Sequence, residues 1–408
     1  MNRFRRTGLA LLGPVLAVLV ALVISGVVIA LIGQDPLRAL QVMVDLGDTP
    51  SQEVQSIVVI LNRAVPLFLA GLAVSIAFRM GLFNIGVEGQ YRMATVVSAA
   101  VGAAVVLPGP LHVLLVIVVA MAVGAFWAGI VGVLKVTRGV SEVISSIMLN
   151  FIALGLASFL LTGPLRGSEE GASIITTAPL PESAWFPDLN GVLGALGLAQ
   201  PRTELFGFLI IAVFIGIVIS VLVQRTRFGF DLRATGMSAS AATASGVDAR
   251  RMVVTTMLLS GGVAGLIGLP DLLGDSRSFG TEFTAGLGFL GIAVALLGRN
   301  NVVGVALAAL LFAFLDRAAL PLQFADIPAS VVTIIQGTIV LAVVIANEVV
   351  RRLTLRSAER AGAAATGAPP DPGGDGGGPG GGPGPDSGPD GGHRVRTGVP
   401  GTPEEARA

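Results

Sequence analysis

The chain has 408 residues, 53% of them hydrophobic and 13% charged, with a mean hydropathy of +0.82. A soluble domain carries roughly 25% charged residues, so this composition excludes an ordinary soluble protein and predicts an all-α polytopic membrane protein. The formal net charge of +0 leaves no electrostatic footprint for nucleic acid, and the absence of cysteine excludes disulfides and thiolate metal sites.

A crossing helix needs about 20 apolar residues to traverse ~30 Å of hydrocarbon. Gly8–Ile32 meets that length after Arg3, Arg5 and Arg6. It is too long for the apolar core of a signal peptide and is expected as a retained first helix. Further spans are predicted at Ile57–Phe78, Gly89–Leu107, His112–Val136, Val143–Thr162, Leu205–Val223, Met252–Leu269, Thr284–Gly298, Val302–Leu320 and Pro328–Val350. That makes about ten transmembrane helices, the eighth short enough to be half-inserted or discontinuous. With the N-terminus in the cytoplasm, seventeen basic residues fall inside, six outside and three in the tail. The positive-inside rule therefore predicts an N-in/C-in arrangement. Between spans, Gly33–Gln55 suits a short amphipathic segment, and Gly163–Glu204, rich in Pro, Gly and Ser, reads as irregular. The membrane domain is expected over 1–360. The Gly/Pro-rich stretch 361–408 cannot bury a core and is expected to be disordered.

Polar residues within this apolar background carry the information. In Gly81–Gln90 and just beyond, Asn84, Glu88 and Arg92 recur every four residues, which a helix would place on one face. A charge at the bilayer centre costs ~2.5–3.5 kcal/mol, so such residues face a bundle interior or a watery cavity. Two readings stand: an i,i+4 ion pair of Glu88 with Arg92, or the wall of a solute path. In Ser141–Asn150, Glu142, Ser146 and Asn150 again share a helical face with Ser145 beside them, either lining a path or serving as interhelical glue. Glu142 also suits a helix N-terminus.

Gln224–Arg251 is a basic loop whose second half, Met237 to Asp248, reads as a short helix of small residues stopped at Gly246. Such a helix suits docking in a partner's groove, or is an ordinary basic loop. In Ser260–Gly268, Gly261/Gly265 and Ala264/Gly268 lie four apart and predict close backbone packing. Leu296–Asn301 predicts a turn in which Arg299 acts as an interfacial anchor. Lys135 is the only lysine and lies outside any Gly-rich loop, so the chain has no ATPase site of its own. The two histidines, His112 and His393, have no neighbouring ligands at metal spacing. Neither His-Glu-x-x-His nor Gly-x-Ser-x-Gly occurs, so no catalytic residue, metal or cofactor is expected.

The blocks Asn84-Ile-Gly-Val-Glu-Gly-Gln90 and Glu142-Val-Ile-Ser-Ser-Ile-Met-Leu-Asn150 resemble the signature of permease subunits of bacterial ABC importers for nucleosides and simple sugars. The related branched-chain amino-acid and ribose permeases word the first block differently. The basic loop is similar to the family's coupling loop, with its Thr-x-x-Gly at Thr226/Gly229, Arg-Ala-x-Gly at Arg233–Gly236 and Ala-Ala-x-x-x-Gly at Ala241–Gly246. The resemblance runs from about residue 57 to about residue 350. It implies a separate ABC ATPase subunit, a second permease chain in a heterodimer, an external substrate-binding lipoprotein, a nucleoside or sugar solute, and a bacterial inner-membrane location. ATPase coupling would rest on Arg233, Gly236, Ser238, Ala241, Ala242 and Gly246. Polarity and helical phase make Asn84, Glu88, Gln90, Ser146 and Asn150 the path candidates. The alternative is a proton-coupled secondary transporter working through Glu88, against which stands the counter-charge of Arg92 one turn away.

Overall fold

The computed structural model describes residues 19–345 apart from 21, 170, 329 and 344. The N-terminal arginines, the start of the first predicted span, the end of the tenth and the tail 361–408 lie outside the described residues. Among the described residues every regular element is helical, and the only β pairing consists of isolated bridges.

After the short apolar α1 (Leu22–Leu31), α2 (Pro36–Val44) is the amphipathic segment expected between the first two spans. Next, α3 (Pro50–Arg79) opens with a capping box. Thr49 accepts the backbone N–H of Gln52, the Gln52 side chain accepts that of Thr49, and Pro50 occupies the first turn, where no N–H is needed. Thirty residues at 1.5 Å each give about 45 Å, longer than the hydrocarbon core. Pro66 lies inside α3 and is tolerated where neighbouring helices enclose it.

Then follow α4 (Val87–Ala104), α5 (Gly109–Arg138) and α6 (Glu142–Thr162). The 163–204 region is largely irregular, as expected, with a 3-10 turn at Glu182–Ala184 and one short α-helix, α7 (Asn190–Ala195). Beyond it come α8 (Phe208–Arg225), α9 (Arg227–Met237), α10 (Ala239–Ala244), α11 (Ala249–Ala264) and α12 (Leu269–Gly274). The last are α13 (Leu287–Leu297), α14 (Val302–Phe324) and α15 (Ser330–Val343). Among the described residues six helical stretches are long and apolar enough to cross a membrane: α3, α5, α6, α8, α11 continued into α12, and α14. The predicted eighth span holds only the 11-residue α13, about 16 Å long, too short to cross alone.

The bundle is organised around α3 and α11, the most buried of these stretches. α3 packs against α8, α11, α13 and α14, while α11 packs against α5. The α5–α11 crossing brings backbones together through Gly124, Gly261 and Gly265, with Ala120 and Ala128 facing them. The small residues of Ser260–Gly268 thus serve tight packing. The outward faces of α6 and α8 are apolar: Phe151 is 66% exposed and Phe214 60%. Such a surface suits lipid or a partner helix rather than water.

Several charges within the helices are paired. Arg63 of α3 bonds Asp316 of α14 at 2.8 Å, and Gln336 of α15 donates to the same carboxylate at 2.7 Å. Arg317 donates to the Asp45 carbonyl and, at 2.7 Å, to the Ser56 hydroxyl. His112, fully buried near the start of α5, lies 2.9 Å from the Gly102 carbonyl through Nε2. That carbonyl requires an N–H, so the proton sits on Nε2, and Nδ1 accepts from the Ser183 hydroxyl at 2.8 Å. The residue locks a loop onto the bundle.

Candidate functional site

Asn84 does not continue the helical phase of Glu88 and Arg92. α3 ends at Arg79, Gly81 takes a φ of +73°, and Asn84 lies in the following turn, before α4 begins at Val87. Its side chain accepts the Gly86 N–H at 3.1 Å, a local turn that competes with helix. Asn84 and Gln90 also form a reciprocal amide pair at 2.8 and 3.0 Å. Asn84 donates again to Ser260 of α11 at 2.8 Å, and Ser260 passes its own proton to the Ala73 carbonyl of α3 at 2.6 Å. Both donors and both lone pairs of Asn84 are thereby used.

Glu88 and Arg92 do share a face of α4 and form the i,i+4 ion pair at 2.9 Å. The carboxylate is only 2% exposed and reaches across to α13. It accepts the Gly286 N–H at 2.9 Å and the Gly288 N–H at 3.0 Å. A short helix that starts inside a bundle leaves orphan N–H groups and a positive dipole end, and a carboxylate answers both. Tyr91 stands beside it: its one hydroxyl proton leans toward the Thr284 carbonyl at 2.6 Å, with Glu88 at 3.2 Å.

The stripe on α6 forms as predicted, with Glu142, Ser145, Ser146 and Asn150 all buried. Asn150 accepts the Gly89 N–H at 2.9 Å and donates to the Ile85 carbonyl at 2.9 Å, so α6 caps α4 as α4 caps α13. Ser146 turns its hydroxyl onto Val143 within its own helix. Glu142 pairs with Lys135 at 2.5 Å, closing the α5–α6 turn. All five path candidates (Asn84, Glu88, Gln90, Ser146 and Asn150) are buried. Asn84, Gln90, Ser146 and Asn150 gather about the turn that opens α4, while Glu88 reaches away from them to α13.

The loop candidates form a different surface. Thr226 caps α9 through the Gly229 N–H, and Arg233 donates back to the Val223 carbonyl at the end of α8. Gly236 packs against the backbone of Arg79 and Met80, a contact that leaves no room for a side chain. Ser238 caps α10 through the Ala241 N–H at 3.3 Å, and Gly246 ends the segment at a φ of +87°. Ala242 is buried, while Ala241 and the rest of α10 are exposed. Arg79 bonds the Asn300 carbonyl, so the end of α3 also holds the α13–α14 turn. That turn has left-handed Arg299 and Asn300, and Asn301 caps α14 through the Val303 N–H at 3.0 Å.

Sequence reasoning missed Tyr91, which sits one turn from Glu88, and it missed Ser260 and the backbone of Gly286 and Gly288, which lie far in the chain from the groups they serve. It also missed Asp271 on α12, which lines a cleft with Arg63; a carboxylate inside an apolar run was the available signal.

The family described as branched-chain amino acid transport system, permease component, matches residues 56–344. The chain is 35% identical over 330 residues to the glucose ABC transporter permease protein TsgB13 of Haloferax volcanii, spanning 80% of this chain and 85% of that protein. It is also 35% identical over 286 residues to the guanosine ABC transporter permease protein NupP of Bacillus subtilis, spanning 69% of this chain and 79% of its relative. Identity to the nucleoside ABC transporter permease protein NupB of Lactococcus lactis is 28% over 335 residues, or 80% of this chain and 88% of that one.

Proposed function

Because the chain belongs to the family of permease components of branched-chain amino acid transport systems, it is a multi-pass transport subunit, and we propose that it imports a nucleoside or simple sugar. The proposal includes an ABC ATPase subunit that hydrolyses ATP on its behalf, a second permease chain as heterodimer partner, and an external lipoprotein that delivers the solute. It also includes an N-in/C-in arrangement of about ten membrane segments, the eighth of them discontinuous, in a bacterial inner membrane. Relatives named for glucose, guanosine and nucleoside transport support the solute class.

The observation that carries the coupling assignment is α10: a helix of small residues, capped by Ser238 and stopped by Gly246, exposed except at Ala242. Docked in an ATPase groove, it would move as a rigid unit when that subunit closes. α9 would relay the movement, because Gly236 rests on Arg79–Met80 at the end of α3. From there it reaches the Asn84 turn and the α13–α14 turn. Asn84, Glu88, Gln90, Ser146 and Asn150 would serve the path by fixing the two helices that start within the bundle. A Glu88 proton relay has less support, since that carboxylate already holds Arg92 and two backbone N–H groups.

The test is uptake of radiolabelled guanosine and glucose into vesicles carrying this chain with its partner permease, ATPase and binding protein. Uptake that requires ATP is the expected result. Uptake driven by a proton gradient without the ATPase would overturn the reading.

A further inference from the structure

One carboxylate inside the bundle stands apart from the rest. Glu88, Glu142 and Asp316 each pair with a cation at 2.9 Å or less. The hydrogen bonds made at Asp271 all fall on its backbone carbonyl, from the N–H groups of Asp275 and Ser276 and the Ser276 hydroxyl. Among the described residues its half-buried carboxylate takes none, and it lines a cleft of about 200 Å³. Arg63 shares that cleft and lies within electrostatic range, but it is already committed to Asp316 at 2.8 Å. Asp275 adds a second nearby negative charge. The cleft wall thus carries one carboxylate, Asp271, and one guanidinium, Arg63, whose charge is shared with Asp316. Phe206 and Phe283 form its apolar part, and Pro66, where α3 lacks an N–H, is among its lining.

We infer that this cleft binds the hydroxyl-rich part of a neutral solute, with the Asp271 carboxylate accepting hydroxyls and the two phenylalanines facing the sugar's apolar side. The inference rests on the importer reading above and deepens it by giving the solute a contact site. A pocket orients a ligand with a few convergent polar groups on an apolar wall, and this cleft has that composition. A phosphorylated solute would bring its charge against the Asp271 carboxylate while Arg63 is held by Asp316, so the site disfavours nucleotides. The larger cleft beside α5, about 520 Å³ and lined by residues such as Val113, Trp185 and Ile211, offers no charged side chain for that purpose.

Position links the cleft to Glu88. Leu287, which lines it, is the first residue of the helix capped by Glu88. Arg63 reaches the Thr284 hydroxyl at 3.5 Å, and the Thr284 carbonyl takes the Tyr91 hydroxyl at 2.6 Å. Occupancy of the cleft would bear directly on the start of α13.

The absence of native cysteine permits a direct test. Val59→Cys places one thiol in the cleft wall and leaves Asp271 intact. In vesicles holding the full importer, a charged methanethiosulfonate should label it, and guanosine or glucose should protect it while guanosine monophosphate does not. Adding Asp271→Asn should raise the half-protecting concentration about tenfold or more, with the complex still eluting as one species, because a site built to bond a hydroxyl discriminates through that bond. An unreactive thiol, equal protection by the monophosphate, or protection unchanged by Asp271→Asn would overturn the site. Guanosine or glucose uptake without protection would sink the cleft alone, whereas leucine uptake with leucine protection would sink the solute class as well.

Discussion

At the start of α4, the side-chain polar groups of Asn84, Glu88, Gln90 and Asn150 find partners inside the chain, whereas α10 presents alanine methyls that the described residues leave uncovered apart from Ala242. The first region is rich in charged and amide groups and is committed to holding helices in place. The second is chemically plain and is available. In hydrocarbon an unpaired N–H costs several kcal/mol, so helices that begin inside the bundle need polar side chains simply to exist. A surface built to dock needs smoothness more than chemistry. Polarity therefore marks where this fold is held together, and the exposed small face of α10 marks where the proposed docking would fall.

Variants can break that contrast, beginning with the largest expected effect. Glu88→Ala strips two α13 N–H groups and Arg92 of their partner together, and breaking a buried pair in this way costs about 3–5 kcal/mol. The folded yield of purified protein should collapse, with Glu88→Gln retaining more because one oxygen still accepts. Asn150→Ala leaves the Gly89 N–H and the Ile85 carbonyl unpaired, at roughly 1–3 kcal/mol each. Its melting temperature should fall, though less than for Glu88→Ala; an unchanged value would remove Asn150 from the capping scheme. Gly261→Ala pushes a methyl against the Gly124 carbonyl and the Ala128 side chain, an overpacking of about 1–3 kcal/mol. The control is Gly155→Ala on α6, where a methyl meets open space and melting should hold or rise slightly. If both glycine variants melt alike, close α5–α11 contact is not what those glycines provide. Smallest of all is Ala241→Trp, whose exposed site predicts a stability change within about 0.5 kcal/mol.

Much of this contrast is legible in the sequence where the signal is local. The i, i+4, i+8 stripe of Glu142, Ser146 and Asn150 survives because α6 is one uninterrupted helix. The α10 segment is bounded by Ser238 and Gly246, two residues whose capping preferences are strong without tertiary help. Asn84 defeats the same reasoning, because its amide bonds the Gly86 N–H and turns the chain just before α4. The role of Glu88 is also hidden, since Gly286 and Gly288 lie 198 and 200 residues away. Nothing in the spacing of Gly81–Gln90 names those partners. Asp271 is obscured for another reason: its Leu-Pro-Asp-Leu-Leu setting reads as the end of an apolar span, and only the fold sets it opposite Arg63.

Ala241→Trp, co-purified with the ATPase subunit and melted in parallel, bears most directly on the division between a holding region and a docking region. The account predicts wild-type melting with loss of the ATPase from the complex. Full retention of the ATPase would contradict it, as would a large drop in melting temperature, because α10 would then be either irrelevant to docking or part of the core.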